Sequence, residues 1–364
     1  TMAKFNRDAV LQLYLNALAH VYDPHSDYLG REEMESFSMA MNLSLFGVGA
    51  TLQAEDGYCK IRELMPGGPA ARCGLLHPGD RIVAVAQDGQ EPVDVVDLPL
   101  PQAVEMIRGP KGSTVRLTLI PVRADDSTRK TISLVRDEIK LEDQRAKARI
   151  VELPRRNGET WRVGVIDLPS FYASMDGAKG GQRESATADV ARLLHKLNAE
   201  LVQGIILDLR RNGGGSLEEA ISLTGLFVRE GPVVQTRDPS GRVDVGADED
   251  SAVAYDGPLV VLTSRFSASA SEILAGALQD YGRALIVGDS STFGKGTVQN
   301  IMPLTPWFDR NGLPHPTDPG ALKVTIRKFY RASGASTQFK GGRHGRSSNS
   351  AQSPPTSCCP HSPT

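Results

Sequence analysis

Three serines occupy alternate positions in a run of small residues that leads into a predicted helix. The segment Ser267–Glu272 reads Ser-Ala-Ser-Ala-Ser-Glu; it follows the apolar run Leu259–Leu262 and precedes apolar residues at helical spacing. A small-residue elbow between a strand and a helix can expose a nucleophile, and N–H groups at the helix N-terminus can face a developing anion. Because the same composition is also typical of close packing, the serines need a nearby base before they indicate catalysis.

A lysine follows the next predicted strand, at Lys295, with a glycine on each side. A serine hydroxyl is a poor nucleophile until a base removes its proton, and a lysine can act as that base only when it is neutral. The ordinary pKa of lysine is about 10.4, so burial must bring it down to about 7, which costs about 4 kcal/mol. A phosphate loop is a poor alternative, because Gly288 is one residue too far upstream and Gly296, rather than Ser or Thr, follows the lysine.

Histidine and cysteine offer no competing chemistry. His195 lies off the apolar face of its predicted helix and His315 lies between two prolines, so both are predicted to be solvated. The four cysteines have no metal-ligand spacing, and we predict neither a metal site nor a cofactor. Cys59 and Cys73 can pair in an oxidising compartment, but two separate buried thiols are the favoured interpretation.

Buried strands that alternate with helices predict an α/β core over residues 126–340. The strands are predicted at Val163–Leu168, Gly204–Leu209, Pro258–Thr263 and Ala284–Val287. The helices are predicted at Ala188–Leu201 and Ser216–Phe227, and the second opens with a capping box formed by Ser216 and Glu219. The segment between strand and helix, residues 208–215, reads Asp-Leu-Arg-Arg-Asn-Gly-Gly-Gly, which alone indicates only a glycine-rich turn.

The regions before and after this core differ from it in composition and in the pattern of apolar residues. Residues 1–42 are predicted to be a partial N-terminal helical segment, with a docking helix at Phe5–Tyr22 and a second helix at Arg31–Met41. Residues 43–125 contain short β-like runs punctuated by glycine, which predict a compact β-rich domain. Residues 341–364 are rich in Gly, Ser, Pro, Arg and His, so we predict a disordered tail with the composition of an out-of-frame terminus.

Composition limits the classes of partner. The 364 residues are enough for more than one domain, and 41 Lys and Arg nearly balance 43 Asp and Glu. This balance predicts no nucleic-acid partner and at most a peripheral association with membranes. No apolar stretch of about 18 residues occurs, and no signal peptide is visible in the first thirty residues.

Three segments together resemble the active-site signature of the carboxyl-terminal processing, or tail-specific, proteases of peptidase family S41. They are Ser267–Ile273, Leu278–Asp280 and Phe293–Gln299, and the resemblance extends over residues 5–340, most closely to the long periplasmic members. The resemblance implies a nucleophile, a general base, a residue that orients the base and a structural support, which are Ser269, Lys295, Gln299 and Asp280, respectively. It also implies an oxyanion hole formed by the N–H of Ala270 with that of Gly213 or Gly214, the choice between the glycines being open.

A second resemblance concerns the β-rich domain. Gly67–Ala71 and Gly79–Ile82 are similar to the short helix and the Gly-Asp turn of a PDZ domain, and Pro101–Arg108 would be the helix that walls its peptide groove. The implied fold is a PDZ-like domain inserted beside an α/β serine-protease core with short N-terminal helices. In a PDZ domain an extended peptide adds as a strand, here beside Val48–Gln53, and loop N–H groups hold its carboxylate. The implied carboxylate-binding residues are Phe46, Gly47, Val48 and Gly49.

The resemblance implies an ATP-independent serine endopeptidase that needs no cofactor. Its implied partners are protein or peptide substrates with free apolar C-termini, with an adaptor protein left open, and its implied location is the periplasm. The alternative from a different class is a catalytically inactive PDZ-containing binding or scaffold protein. An acyl-transferring enzyme of another α/β type lacks a His or Cys in a usable place.

Overall fold

The structure, a computed structural model, describes residues 7–155, 158–174, 185–315 and 318–342. These residues form two compact units: one is Leu43–Asp143, and the other combines the described residues before and after it. No helix in the described part of the chain has both the length and the apolar character needed to cross a bilayer. Of the predicted disordered tail, residues 343–364 lie outside the described residues, whereas Gly341 and Gly342 belong to them.

The N-terminal elements are two helices joined by a short strand, α1 (Arg7–Tyr22), β1 (Asp27–Leu29) and α2 (Arg31–Asn42). The apolar face predicted to dock α1 remains largely open to solvent within its own unit. Leu11, Tyr14, Leu18 and Tyr22 are exposed by 46, 67, 49 and 84%, respectively. Docking of this face therefore stays a prediction.

The unit Leu43–Asp143 is β-rich, and all strand pairs in it are antiparallel. Its strands are β2 (Ser44–Gly47), β3 (Ala50–Glu55), β4 (Tyr58–Leu64), β5 (Arg81–Gln87), β6 (Val93–Asp94), β7 (Thr114–Ile120), β8 (Lys130–Val135) and β9 (Asp137–Lys140), and its helices are α3 (Pro69–Arg72) and α4 (Leu100–Ile107). The main sheet has the order β3-β4-β5-β7-β8, so β3 is an edge strand. Alternate residues of β7, namely Val115, Leu117 and Leu119, are buried, as expected for a strand with one face on a core.

The second unit contains a five-stranded sheet of the predicted α/β type. Its strands are β10 (Lys147–Pro154), β11 (Thr160–Asp167), β12 (Gly204–Asp208), β15 (Leu259–Thr263) and β16 (Leu285–Gly288), and the helices are α5 (Ala186–Ala199), α6 (Leu217–Gly225) and α7 (Ala270–Asp280). The four strands β11, β12, β15 and β16 are parallel neighbours in that order, and β10 adds antiparallel to β11. The four predicted strands correspond to these four parallel strands.

One predicted helix start differs from expectation. The Ser216 hydroxyl accepts a hydrogen bond from Glu219 N at 3.2 Å, as the predicted capping box requires. The Glu219 carboxylate, however, accepts from Thr187 N at 2.7 Å and from the Ser185 hydroxyl at 3.0 Å. It therefore caps the start of α5 rather than that of its own helix, because both backbone and hydroxyl donors are available there.

A second sheet in the same unit was not predicted. It consists of β1 with β13 (Gly231–Arg237), β14 (Val243–Asp248), β17 (Thr297–Pro303) and β18 (Ala321–Arg331), and the helix α8 (Thr305–Arg310) lies between the last two strands. β18 pairs antiparallel with β1, β13 and β17. Charged residues such as Lys323 and Arg327 interrupt its apolar pattern, which hides a half-buried strand from a search for apolar runs.

Candidate active site

Ser269 lies in the elbow between β15 and α7. Its backbone has φ 55° and ψ −114°, a conformation that a residue with a side chain rarely adopts. Strain of this kind persists only where the surroundings impose it, and it is common at active sites. Here the Ser269 N–H donates to the carboxylate of Glu272 at 2.9 Å, which holds the elbow against the first turn of the helix.

The other two serines of the motif are engaged in structural hydrogen bonds. Ser267 and Ser271 are both 0% exposed. Their hydroxyls donate to the carbonyl oxygens of Leu209 at 2.7 Å and Asn212 at 2.9 Å, respectively. Unlike them, the Ser269 hydroxyl donates to no carbonyl oxygen within the described residues, and Ser269 lines a cavity. Of the three, Ser269 is therefore the serine available to a substrate.

Glu272 connects the segment of Ser269 to the segment of Lys295. Its side chain is buried, at 2% exposure. Besides Ser269 N, it accepts hydrogen bonds from the backbone N–H of Gly294 at 2.8 Å and Lys295 at 2.9 Å, and from the Thr292 hydroxyl at 2.6 Å. Burial raises the pKa of Glu272, although these four donors act in the opposite direction. The sequence pattern gave one clue to this residue, its position three residues after Ser269, but not its link to Lys295.

Lys295 occupies the same cavity as Ser269. Burial is the largest cause that lowers the pKa of Lys295, and the positive charge of Lys323 lowers it further. The charges of Asp23, Glu272 and Asp27 oppose this shift. No hydrogen bond joins Lys295 Nζ to Ser269 Oγ within the described residues. The site thus favours a neutral amine in reach of the cavity, as a lysine base requires.

The last described segment of the chain, Ser336–Gly342, packs along the lysine loop. The Thr337 hydroxyl donates to Lys295 O at 2.9 Å, and Phe339 N donates to Gly294 O at 2.8 Å. Gly342 N donates to the Thr292 hydroxyl at 2.6 Å. We call this segment the C-terminal brace, because it fixes the backbone on both sides of Lys295.

The two supporting residues implied by the resemblance lie in different places. Gln299 lines the cavity, and its Nε2 donates to the hydroxyls of Thr297 and Thr325, both at 2.9 Å. Asp280 lies at the other end of α7 and is not among the cavity-lining residues. Its carboxylate accepts two hydrogen bonds from the Arg331 guanidinium, at 2.6 and 3.1 Å, an arrangement that ties α7 to β18.

The two candidate oxyanion glycines differ in their hydrogen bonding. The Gly214 N–H donates to the Asn212 side chain at 2.9 Å. The N–H groups of Gly213 and Ala270 donate no hydrogen bond within the described residues, and both residues line the cavity. Gly214 instead lies against the elbow, since a Cβ added there would come within 2.9 Å of Ser269 Cβ. This geometry favours Gly213 over Gly214 as the partner of Ala270.

The cavity has a volume of about 750 Å³ and is lined by both apolar and charged side chains. Its apolar side chains come from α2, α7 and the second sheet, among them Phe37, Met41, Ile273, Ile326 and Phe329. Its charged side chains are Glu218, Lys295, Lys323 and Arg327. A peptide segment with an apolar side chain fits such a lining better than a charged one does, because a buried charge needs a partner.

The proposed carboxylate-binding loop lies in the β-rich unit, just before the edge strand β3. Phe46 and Gly47 belong to β2, and the N–H groups of Val48 and Gly49 donate no hydrogen bond within the described residues. The Val48 carbonyl accepts from Ala70 N at 2.8 Å, and the Gly49 carbonyl from Met65 N at 2.9 Å. The loop is thus held by its carbonyls while two of its N–H groups remain available to an anion.

The remaining candidates show no catalytic arrangement. His195 is exposed, and His315 pairs with Asp309 at 2.7 Å. Cys59 and Cys73 are free thiols, and burial raises the pKa of Cys59 to about 11. Among the described residues, no group of three or more His, Cys, Asp and Glu side chains could hold a metal ion.

Comparison with known proteins gives two family matches. The family described as Peptidase family S41 matches residues 162–343, and the PDZ domain family matches residues 36–120. The tail-specific protease of Haemophilus influenzae is 45% identical over 334 residues, which cover 92% of this chain and 45% of that protein. The carboxyl-terminal-processing protease of Picosynechococcus sp. is 34% identical over 89% of this chain and 69% of that protein.

A solved structure of a PDZ domain is also similar to part of this chain. The PDZ domain of the carboxy-terminal protease from Vibrio cholerae, determined in complex with a peptide, is 47% identical, with a TM-score of 0.26; the match covers 27% of this chain and 100% of that one. The chain spans less than half the length of the Haemophilus relative. It combines a PDZ domain with an S41 core of mixed α/β structure. These matches establish that the chain belongs to peptidase family S41.

Proposed function

We propose that this chain carries the catalytic core and the PDZ domain of a serine endopeptidase that binds the C-terminal tails of protein substrates. One observation carries the proposal: the one motif serine whose hydroxyl does not donate to a backbone carbonyl within the described residues shares a cavity with a half-buried lysine whose pKa is lowered. A serine and a neutral lysine together supply a nucleophile and its base. No cofactor is required for this chemistry.

The steps of peptide hydrolysis follow from the roles of these residues. Ser269 Oγ attacks the carbonyl carbon of the scissile bond while Lys295 Nζ removes the hydroxyl proton. The resulting oxyanion accepts hydrogen bonds from the N–H groups of Ala270 and Gly213. Lys295 then gives its proton to the leaving amine, which breaks the C–N bond and leaves an acyl-enzyme. Water, activated by the same lysine, hydrolyses that ester and restores the Ser269 hydroxyl.

Substrate capture is assigned to the β-rich unit. Its strand β3 is an edge strand, so an extended peptide can pair with it and continue the sheet. The N–H groups of Val48 and Gly49, which donate to no acceptor within the described residues, can bind a substrate carboxylate at the start of β3. Apolar residues at the substrate terminus can pack against partly buried apolar side chains near β3 and α4, such as Ala50, Leu52, Leu100 and Met106. A periplasmic location and an adaptor partner are proposed from the family resemblance alone.

The experiment that tests the proposal is active-site labelling with a fluorophosphonate. Wild-type protein should be labelled, and Ser269→Ala should not. Ser267→Ala and Ser271→Ala are matched controls: each removes a buried hydroxyl and should lower stability by about 1–3 kcal/mol, yet retain labelling. Labelling of the Ser269→Ala variant would overturn the assignment of the nucleophile. A wild-type protein that binds C-terminal peptides without being labelled would instead support the alternative, an inactive PDZ-containing binding protein.

A further inference from the structure

We infer that Asp23 and Thr325 are positioning residues of the active site, which fix the orientation of the Gln299 side-chain amide so that its oxygen is left to Lys295. The inference rests on the proposed serine–lysine chemistry and assigns a role to the turn that follows α1. The family resemblance concerned Gln299 itself but gave no reason for the amide to present its oxygen rather than its nitrogen.

A continuous chain of hydrogen bonds leads from the turn to the cavity. The Thr325 hydroxyl lies 2.6 Å from Asp23 Oδ2. Gln299 Nε2 lies 2.9 Å from the same hydroxyl oxygen. The sheet sets up this contact, because Gln299 of β17 and Thr325 of β18 are directly opposite each other. Three residues from distant parts of the sequence are thus linked at hydrogen-bond distance.

The direction of each bond in this chain is fixed by Asp23. Its Oδ2 also accepts from His25 N at 3.1 Å and from the Ser26 hydroxyl at 2.9 Å. Burial raises the pKa of Asp23, but the bonds from Thr325, Ser26 and His25 outweigh it and lower the pKa overall. Asp23 is therefore an ionised carboxylate at neutral pH and can only accept hydrogen bonds.

The consequence passes along the chain to the cavity. Since Asp23 can only accept, the Thr325 hydroxyl must donate to it, and the hydroxyl oxygen is left to accept. The group that donates to this oxygen must be the NH₂ of Gln299, not its carbonyl. The second hydrogen of the same NH₂ goes to the Thr297 hydroxyl, at 2.9 Å. The Gln299 Oε1 has no partner within the described residues, so it is the acceptor that remains for the Lys295 amine.

If Asp23 acted on Lys295 through its charge alone, neutralising Asp23 would change activity in the opposite direction from that expected of a positioning residue. The charged or titratable groups that act on Lys295 lie on four elements: Asp23 and His25 on the turn, Asp27 on β1, Glu272 on α7 and Lys323 on β18. The negative charge of Asp23 raises the pKa of Lys295. Neutralising Asp23 should therefore favour the neutral base and extend activity to lower pH if charge alone mattered. If Asp23 positions Gln299, the same change should lower the maximal rate.

The experiment compares four variants of the whole chain across pH, with a peptide substrate. Asp23→Asn and Thr325→Val should each lower kcat at the pH plateau by about tenfold to a hundredfold with KM changed by less than about threefold. Thr325→Ser retains the hydroxyl and should restore kcat to within about threefold of wild type. Asp27→Asn is the matched control, because it removes a nearby negative charge but leaves the hydrogen bonds between Asp23, Thr325 and Gln299 in place. It should shift the acidic side of the pH–kcat profile to lower pH and leave kcat at the pH plateau unchanged.

The possible failures are distinguishable. A plateau kcat near that of wild type in Thr325→Val would overturn the positioning role, whatever the result for Asp23→Asn, while the proposed function stands. A loss in Thr325→Val that Thr325→Ser does not restore would overturn it too, since a hydroxyl would then not be what matters. A folded wild-type chain that neither hydrolyses peptides nor reacts with a fluorophosphonate would overturn the proposed function, and the inference with it. Melting curves identify an Asp23→Asn variant that fails to fold, in which case the two Thr325 variants decide.

Discussion

Lys295 combines a requirement of catalysis with a cost to stability. Its pKa is lowered from the ordinary value for lysine, chiefly by burial. Between the folded-state pKa and the usual value, the unfolded chain binds more protons than the folded chain, so folding stability rises with pH in that window and is reduced below it. If Lys295 is the base, as proposed, the same ionisation controls catalysis, and we expect activity to rise as pH increases through the folded-state pKa.

We predict that Lys295→Met abolishes hydrolysis and raises the melting temperature at pH 7. Methionine has a similar shape and no charge to bury, and each 1 kcal/mol regained should raise the midpoint by about 2–4 °C. The gain should shrink as pH approaches 10. Thermal melts of wild type and variant at pH 7 and pH 10 provide the measurement, and a variant less stable than wild type at pH 7 would contradict the assignment. Lys295→Arg should also be inactive, because guanidinium does not lose its proton.

Glu272 holds together the segments of Ser269 and Lys295, the proposed nucleophile and base. In Glu272→Gln, an amide NH₂ replaces one of the oxygens that now face only donors. We expect a loss of about 1–3 kcal/mol in stability and a fall in kcat larger than any change in KM. Glu218→Gln is the control, since Glu218 lines the same cavity but bonds to the nearby Ser216 hydroxyl at 2.9 Å. Equal effects of the two variants on kcat would argue against a bridging role for Glu272.

At the scale of elements, the loop between β12 and α6 is open at Gly213 and constrained at the following Gly214. Gly214 has φ +108°, and a Cβ there would lie 2.9 Å from Ala268 O, whereas nothing lies within 4 Å of a Cβ at Gly213. We therefore expect Gly214→Ala to lose most activity and at least about 1 kcal/mol of stability. Gly213→Ala retains its N–H and should keep activity within about tenfold of wild type. The pair should be compared by kcat/KM and chemical denaturation; tolerance of alanine at Gly214 would contradict the packing.

Some of these elements could be predicted from the sequence alone and others could not. Apolar runs and helical periodicity correctly indicated the parallel strands and the helices of the α/β core, because β11, β12 and β15 bury much of their apolar surface. The fourth parallel strand, β16, was predicted to be buried but is largely exposed. These sequence patterns missed β13, β14, β17 and β18, whose residues are mostly half-buried and mix polar or charged side chains with apolar ones. The motif pointed to Ser269 and Lys295, but the partners of Gln299 could not be found, since contact between Gln299 and Thr325 depends on strand register.

For the whole molecule, tail recognition should depend on a free carboxylate. We expect a peptide with an apolar C-terminus to bind more weakly when its carboxylate is amidated or its last residues are replaced by Asp, by about tenfold or more. Isothermal titration provides the measurement. Gly49→Ala should impair binding, because its Cβ would lie 3.1 Å from both Gly68 and Ile139, whereas Gly67→Ala, also at positive φ but in open space, is the control. Equal affinity for the amidated peptide would remove the Phe46–Gly49 loop as a carboxylate site.

The C-terminal brace predicts a sharp boundary for truncation. Removal of residues 343–364 leaves every bond from Thr337, Phe339 and Gly342 to the lysine loop in place, and activity should be retained. Removal from residue 337 onward deletes these bonds and should lower kcat by about tenfold or more, because Lys295 loses its backbone support. Both truncated chains should be assayed beside wild type at equal folded concentration. Full activity in the shorter one would show the brace to be dispensable.

The contact between Asp23 and Thr325 spans 302 positions of the chain. A ribosome synthesises Asp23 and the proposed nucleophile, Ser269, well before Thr325 emerges, so a growing chain already contains the serine before Thr325 can connect Asp23 to Gln299. Contacts of such long sequence separation also form slowly, because the loop that they close is entropically costly. We therefore expect the proposed site to be completed only when the fold is complete, so that a nascent or partly unfolded copy would have little proteolytic activity toward its neighbours.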